Sequence, residues 1–286
     1  MKIGLLTNSL VAIGINELEE IFKWAKKSGF QAVEIGPGIS LNLEKLRRLQ
    51  QEYDLEITGF IYMRNILSPN KKERQVHIDR IKERIEIAGE LSVKYVTMST
   101  GRDTRISYEE NLLLFKEEFP PILKYAEEKG VTLVFENCPG MSNIAISPPM
   151  WKKIFEIFPS SNLGLCFDPS HLVWLQIDPC KAILDFKDRI CYVHAKDTEI
   201  LRDRLAYWGI ITDHVYDEKE RQELRWWRHR IPGWGEVDWK KIITTLMEIR
   251  FDGVISIEHE DPVWSGSERK VKRGLVLAKE YLSGII

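Results

Sequence analysis

Short apolar, β-branched runs alternate along this chain with longer stretches of helical spacing, and that alternation limits the fold more than any other feature. The runs are KIGLLTN (2–8), AVEIG (32–36), EITGFIY (56–62), YVTMSTG (95–101), TLVFENC (132–138), LGLCFDPSH (163–171), CYVHAKD (191–197) and GVISIEHED (253–261). Near-continuous apolar strands of this kind belong in a parallel sheet covered by helices on both faces. Between them, NELEEIFKWAKKSGF places Leu18, Ile21, Phe22 and Ala25 on one helical face, with Asn16 expected as N-cap and Gly29 as the C-terminal glycine. HIDRIKERIEIAGELSV repeats the spacing with Ile78, Ile81, Ile85 and Ala88, and Pro120-Pro121 is expected to bend or restart a helix. Eight strand–helix units in 286 residues predict a (β/α)₈ TIM barrel, one domain over residues 1–286. A doubly wound open sheet would show a glycine-rich turn after its first strand, and TNSLVAIG has none.

One connection breaks the rhythm. The seventh run ends at 197 and the eighth begins at 253, and the segment 198–237 between them is rich in Trp, Arg and Gly. It is too long for an idle connection. It is expected to be an insertion that forms a lid over the barrel mouth, or a contact between subunits of a homo-oligomer.

Composition excludes several classes of partner. The 41 basic and 43 acidic residues nearly cancel, so no bulk field draws nucleic acid or an anionic membrane. No window approaches the ~18 apolar residues of a spanning helix. The N-terminal apolar run is interrupted by Asn8, Ser9 and Asn16 and reads as a first strand with its loop, not as a signal peptide. Cys138, Cys166, Cys180 and Cys191 form no CxxC pair, which suits reduced thiols and a cytoplasmic location.

The C-terminal ends of barrel strands converge on one face. Strand five brings Glu136 to that face, strand six Asp168 and His171, strand seven His194, Lys196 and Asp197, and strand eight Glu258 and Glu260. His259 points away from Glu258 by strand alternation and is expected to face a helix. Three carboxylates aimed at one point repel unless a cation stands among them. Glu136, Asp168, Glu258 and His194 form an oxygen-rich set with one imidazole, which suits Mn²⁺, Mg²⁺ or Co²⁺ with open water positions. Of the tryptophans, Trp24 and Trp151 fall on helices and are expected in the core. Trp174, Trp208, Trp226, Trp227, Trp234 and Trp264 fall in loops, where a ring such as Trp234 could stack on a sugar.

Over its whole length the chain resembles the xylose isomerase-like TIM-barrel superfamily, which includes tagatose 3-epimerase, hydroxypyruvate isomerase, inosose dehydratase and endonuclease IV. The motifs that carry the resemblance are FEN, FDPSH, HAKD, PGWGEVDW and IEHED. It implies one divalent metal ion, Mn²⁺ foremost with Mg²⁺, Co²⁺ or Zn²⁺ as alternatives, held by Glu136, Asp168, His194 and Glu258. It implies proton exchange with substrate by Glu136 and Glu258, and contact with substrate oxygen by His171. Lys196 would help neutralise a developing oxyanion. The expected activity is isomerisation or epimerisation of a sugar or keto-sugar by proton abstraction beside a carbonyl. The alternatives are a metal-dependent lyase or dehydratase acting on a keto-inositol or 3-keto-glycoside, and an endonuclease IV-like nuclease. Two positions depart from the keto-sugar 3-epimerase pattern. Ile200 stands where an arginine is usual, and Ser142 where a glutamate is usual.

Overall fold

Each apolar run becomes one parallel strand. The computed structural model describes residues 1–140, 142–210 and 225–286. Its strands are β1 (Lys2–Leu6), β2 (Ala32–Ile35), β3 (Glu56–Tyr62), β4 (Tyr95–Met98), β5 (Thr132–Glu136), β6 (Leu163–Phe167), β7 (Ile190–Ala195), β8 (Asp197–Ile200), β9 (Trp227–Arg230) and β10 (Val254–Ile257). β1 to β7 pair in chain order, and β10 lies between β7 and β1, so eight strands close into a barrel with helices outside. This is the expected (β/α)₈ barrel.

The period of two along each strand divides the side chains into an outer apolar layer and an axial column. The outer layer packs on the helices through Val33, Phe135, Phe167, Val193 and Ile255, all fully buried. The inner residues one step away, Ala32, Val134, Cys166, Tyr192 and Val254, form a separate apolar cluster. Two residues further along the same strands stand Glu34, Glu136, Asp168, His194 and Ser256. The barrel axis therefore turns from apolar to ionisable within one repeat, at the C-terminal end. Two register shifts adjust this layer, one between Val33 and Glu34 against β3, the other between Leu165 and Cys166 against β7. Such irregularities re-aim the side chains beside them.

Helix ends follow the sequence with one exception. The first long helix, Leu18–Lys27, starts after Glu17, and Asn16 does not cap it. Glu17 is extended, and its side chain is drawn to Lys45 of the next helix at 3.2 Å. Gly29 takes a φ of +76°, as the C-terminal position requires. The Pro-Pro pair restarts the helix. Tyr108–Glu118 ends before it, and Pro120–Glu128 begins on Pro120, where no backbone N–H is needed.

The described residues of the 198–237 segment include regular structure. β8 and β9 form an antiparallel ribbon in which Asp197 faces Arg230 and Ile200 faces Trp227. A helix, Arg202–Trp208, follows β8. Residues 211–224, which include Asp213 and His214, lie outside the described residues. Trp226 and Trp227 are buried within the chain. Trp227 stacks on Trp174 at 4.5 Å and 9°, with the Arg225 guanidinium on the Trp227 ring. Trp226 and Trp227 cluster with Ile200, and Trp174 packs against them.

Two aspartates fasten the insertion to the barrel. Asp261, just after β10, accepts from Arg230 Nε at 2.8 Å and Ile231 N at 3.1 Å. Asp197 accepts from the backbone N–H groups of Thr198, Gly233 and Val237 at 2.8–2.9 Å. Gly235 is required there because a Cβ would stand 2.3 Å from Asp197 Oδ1 and 2.5 Å from the Thr198 carbonyl oxygen. Burial pushes the Asp197 carboxyl up to about 6, against the pull of the backbone donors. The folded chain thus holds this proton more tightly than an unfolded chain, whose aspartates titrate near ~3.9. That stabilisation is complete below the unfolded value and is lost as pH rises through about 6. Urea unfolding between about pH 4 and pH 7 is expected to show the wild-type chain losing about 2–3 kcal/mol relative to Asp197→Asn. Parallel stability curves for the two proteins would show that Asp197 carries no such linkage.

Candidate functional site

The ionisable layer at the C-terminal end of the barrel is built from five strands. Glu136 ends β5, His194 lies in β7, and Lys196 bridges β7 and β8. Asp168 follows β6 and Glu258 follows β10. His171 lies in the short helix Pro169–Trp174, whose first turn is capped by Asp168 through Ser170 N at 2.8 Å. That turn brings His171 back over the strand end, so one FDPSH motif supplies both Asp168 and His171.

The side chains form two triangles that share Glu136. His194 Nδ1 stands 3.4 Å from Glu136 Oε1 and 3.5 Å from Glu258 Oε2. His171 Nε2 stands 3.6 Å from Glu136 Oε1 and 3.3 Å from Asp168 Oδ2. Lys196 donates to Glu258 Oε2 at 2.8 Å and stands 3.2 Å from both Asp168 Oδ2 and Glu260 Oε2. All of these groups are buried except Glu260, whose side chain is 49% exposed. A cavity of about 100 Å³ opens onto Glu136, Lys196, Glu258 and Glu260, with Ile61 and Met63 supplying apolar wall. A larger hollow of about 550 Å³ lies at the opposite end of the barrel, but its charges Lys2–Glu56 and Lys26–Asp54 are spent on each other.

Mutual contacts set the charges. Burial opposes ionisation of Glu136, but His194, His171 and Lys196 outweigh it and hold the carboxyl well below the usual range. Burial likewise opposes the charge on Lys196, and the four surrounding carboxylates drive its affinity for a proton well above normal. The Glu258 carboxyl is lowered, with Lys196 overcoming its burial.

A cation fits this arrangement. Glu136 Oε1, Asp168 Oδ2, His171 Nε2 and His194 Nδ1 are buried atoms with no hydrogen-bond partner among the described residues. Buried polar atoms are seldom left so. Glu136, Asp168 and His171 form one group able to hold a metal ion, and Glu136, His194 and Glu258 form another.

Two contributors escaped the sequence reading. Glu34, in β2, accepts from Thr97 Oγ1 at 3.0 Å and lies 2.9 Å from His194 Nε2, fully buried. It fixes the imidazole so that Nδ1 faces Glu136 and Glu258, the role of an outer carboxylate behind a metal-binding histidine. A glutamate inside an apolar strand was the available signal. His229, on β9, meets His171 edge-on at 5.8 Å between ring centres and stands 3.5 Å from Glu260 Oε2. The insertion therefore reaches the site through a histidine.

Other expected residues lie elsewhere. Trp234 is 46% exposed, packs edge-on against Trp264, and does not line the cavity. Trp151 is in the core and Trp24 packs partly buried against it. His259 faces the C-terminal helix Glu268–Ser283, where a Cβ on Gly274 would touch its Nε2 at 2.6 Å.

The fold and this polar barrel mouth define a class, and comparison with known proteins agrees. The xylose isomerase-like TIM barrel family matches residues 22–281, and the chain belongs to it. The crystal structure of a D-tagatose 3-epimerase-like protein superposes with a TM-score of 0.74 and 26% identity, over 100% of this chain and 98% of that one. The IolI protein, crystallised with a bound zinc atom, superposes with a TM-score of 0.75 and 19% identity, over 100% of this chain and 96% of that one. The inosose dehydratase of Clostridium perfringens (strain 13 / Type A) is 21% identical over 86% of this chain and 84% of its own length. No helix among the described residues is long and apolar enough to cross a membrane.

Lys196 is the one ammonium in direct contact with Asp168, Glu258 and Glu260 among the described residues. Removing one partner of a buried ion pair costs ~3–5 kcal/mol. Lys196→Met is therefore expected to lose about that much stability in chelator and to recover much of it with millimolar Mn²⁺, read from thermal unfolding. Equal unfolding temperatures for the variant with and without Mn²⁺ would contradict this account of the charges.

Proposed function

We propose that this chain is a divalent-metal-dependent enzyme that removes a proton beside the carbonyl of a sugar or keto-sugar and returns it to give an isomer or epimer. The single observation that carries this reading is the convergence on the barrel axis of buried ligand atoms without hydrogen-bond partners among the described residues, with a carboxylate on either side of His194 Nδ1. Glu136, Asp168, His194 and Glu258 are the residues that would hold the ion. Zinc in the IolI neighbour supports a divalent ion, and the epimerase-like neighbour supports a sugar substrate. When bound, the ion supplies Lewis-acid polarisation of the carbonyl.

The chain's own groups supply the rest. Glu136 and Glu258, both ionised, stand ready to take and return a proton. Lys196 places a positive charge beside Glu258, where an enolate oxygen would need one. His171 offers Nε2 toward the same space, suited to a substrate oxygen. The lining of Glu260 and Lys196 suits hydroxyl groups, and Ile61 and Met63 suit the carbon face of a sugar. The described part of the insertion contributes His229 and would help to exclude water from the reactive anion.

Incubation of the metal-loaded protein with a panel of keto-sugars in D₂O tests this reading. Deuterium is expected at carbon next to the carbonyl, dependent on the metal. Glu258→Gln and Glu136→Gln are each expected to lower kcat by at least ~100-fold while raising KM much less, because the amide fills the space but takes no proton. Carbon exchange that persists in both variants would remove these glutamates from the proposal. Glu34→Gln is expected to weaken divalent-ion binding ~10–100-fold by calorimetry without unfolding the barrel. Unchanged affinity would mean that Glu34 does not orient His194.

A further inference from the structure

We propose that the substrate of this site carries a terminal anionic group, a carboxylate or a phosphate, and that Arg64 binds it. This rests on reading the barrel mouth as a site for a keto-sugar, and it narrows the class of sugar taken.

Arg64 follows β3 and lines the cavity onto which Glu136, Lys196, Glu258 and Glu260 open. Its side chain makes one hydrogen bond among the described residues, donated from Nη1 to the Met63 carbonyl oxygen at 2.8 Å. That bond holds the guanidinium at the cavity wall. It leaves Nε and Nη2 without an acceptor, and the group without a carboxylate in ion-pair contact, among the described residues. Neighbouring loops treat their arginines differently. Arg105 pairs with Asp103 at 2.7 Å and Arg230 with Asp261 at 2.8 Å. Arg102 and Arg225 lie on the rings of Tyr108 and Trp227. Arg64 has neither kind of partner among the described residues. Its open edge is the planar fork that matches two oxygens of a carboxylate or phosphate.

The closed ring sets where such an anion would lie. β3 and β7 are four strands apart in a ring of eight, so Arg64 stands across the mouth from Lys196, which follows β7. Lys196 is already surrounded by Asp168, Glu258 and Glu260. An anionic group on that side would meet those acids and be repelled. On the β3 side the cavity offers a cation and no acid.

The wall between suits the same class of molecule. Ile61 and Met63, on the strand end that leads to Arg64, line the cavity and are buried, whereas Arg64 is exposed. Asn8, after β1 and midway round the ring between β3 and β7, also lines it and can meet a hydroxyl. The cavity thus runs from a buried ionisable floor, past a short apolar wall, to an exposed cation. A keto-sugar acid or keto-sugar phosphate has that order of groups: a carbonyl beside a hydroxyl, a few carbons, and an anion at the far end. Held by its charge at Arg64, such a molecule directs its carbonyl end to Glu136 and Glu258, and its length fixes which carbon they reach.

Matched neutral and charged sugars test this. The metal-loaded full chain is titrated by calorimetry with D-fructose, D-tagatose and D-psicose, and with the 6-carboxylate and 6-phosphate of each. An anionic member is expected to bind at least ~10-fold more tightly than its neutral parent, as hydrogen bonds to a charged group allow. That advantage should shrink as salt is raised. Arg64→Gln should abolish it, and Arg64→Lys should keep only part, because an ammonium restores the charge without the fork. Thermal unfolding should be alike in the three proteins, since Arg64 is exposed and holds no ion pair among the described residues. Either anion supports the proposal, and the tighter of the two identifies it. If no charged sugar binds more tightly than its parent, or if the advantage survives in Arg64→Gln, the proposal is overturned. If neutral ketoses exchange deuterium and charge adds nothing, the anion site fails alone. If charged sugars bind through Arg64 and none exchanges, the anion site stands and the catalytic reading fails.

Discussion

Five carboxylates crowd one end of a closed barrel around a single ammonium among the described residues, and the rest of the structure is arranged to hold them there. In water such a group would disperse. Here the acids are carried on or just after four strands, Glu258 and Glu260 together after β10, and strand pairing prevents separation. β-Sheet closure therefore has an electrostatic consequence. The hydrogen-bonded ring and its apolar outer layer bear the repulsion, and Lys196 and the two histidines relieve part of it. A divalent cation would relieve much of what remains.

The motif at the end of β10 shows how finely the work is divided. In IEHED, Glu258 turns to the axis and accepts from Lys196, while His259 turns to the C-terminal helix. Glu260 reaches the rim, between Lys196 and His229. Asp261 turns back to fasten Arg230 and Ile231 of the insertion. Four consecutive polar residues serve four different surroundings, and none is left over. Asp197 does for the PGWGEV turn what Asp261 does for β9, so both ends of the ribbon are fixed to residues adjoining the site. The family's relatives bear names of different reactions, a D-tagatose 3-epimerase-like protein and an inosose dehydratase among them.

Much of this was written in local pattern. The eight apolar runs dictated eight strands, because β-branched residues in unbroken series suit a sheet buried on both faces. Period-two alternation sorted Glu258 from His259, and recurrence of ionisable residues at successive strand ends located Glu136, Asp168, His194 and Lys196. His171 came with them because a Pro-started turn after Asp168 returns the chain over the same spot. The first long helix starts one residue later than the Asn16 cap expected from the pattern: Glu17 is its extended N-cap residue, and its side chain meets Lys45 of the next helix at 3.2 Å.

What the sequence determined by itself was the kind of barrel and the set of groups at its mouth, since both rest on periodicities that neighbouring residues impose on one another. What only the tertiary structure decided was which groups meet. Glu34 lies 160 residues from His194 and touches it across the barrel, because β2 and β7 face each other only once the ring closes. His229 reaches Glu260 through a ribbon register that no local pattern encodes, and Trp226 and Trp227 turn inward for the same reason. Trp234 carries the same ring chemistry in a neighbouring loop, yet it ends half exposed against Trp264 and away from the cavity. Residue type limits what a side chain can do, and closure of the chain on itself supplies the partner with which it does it.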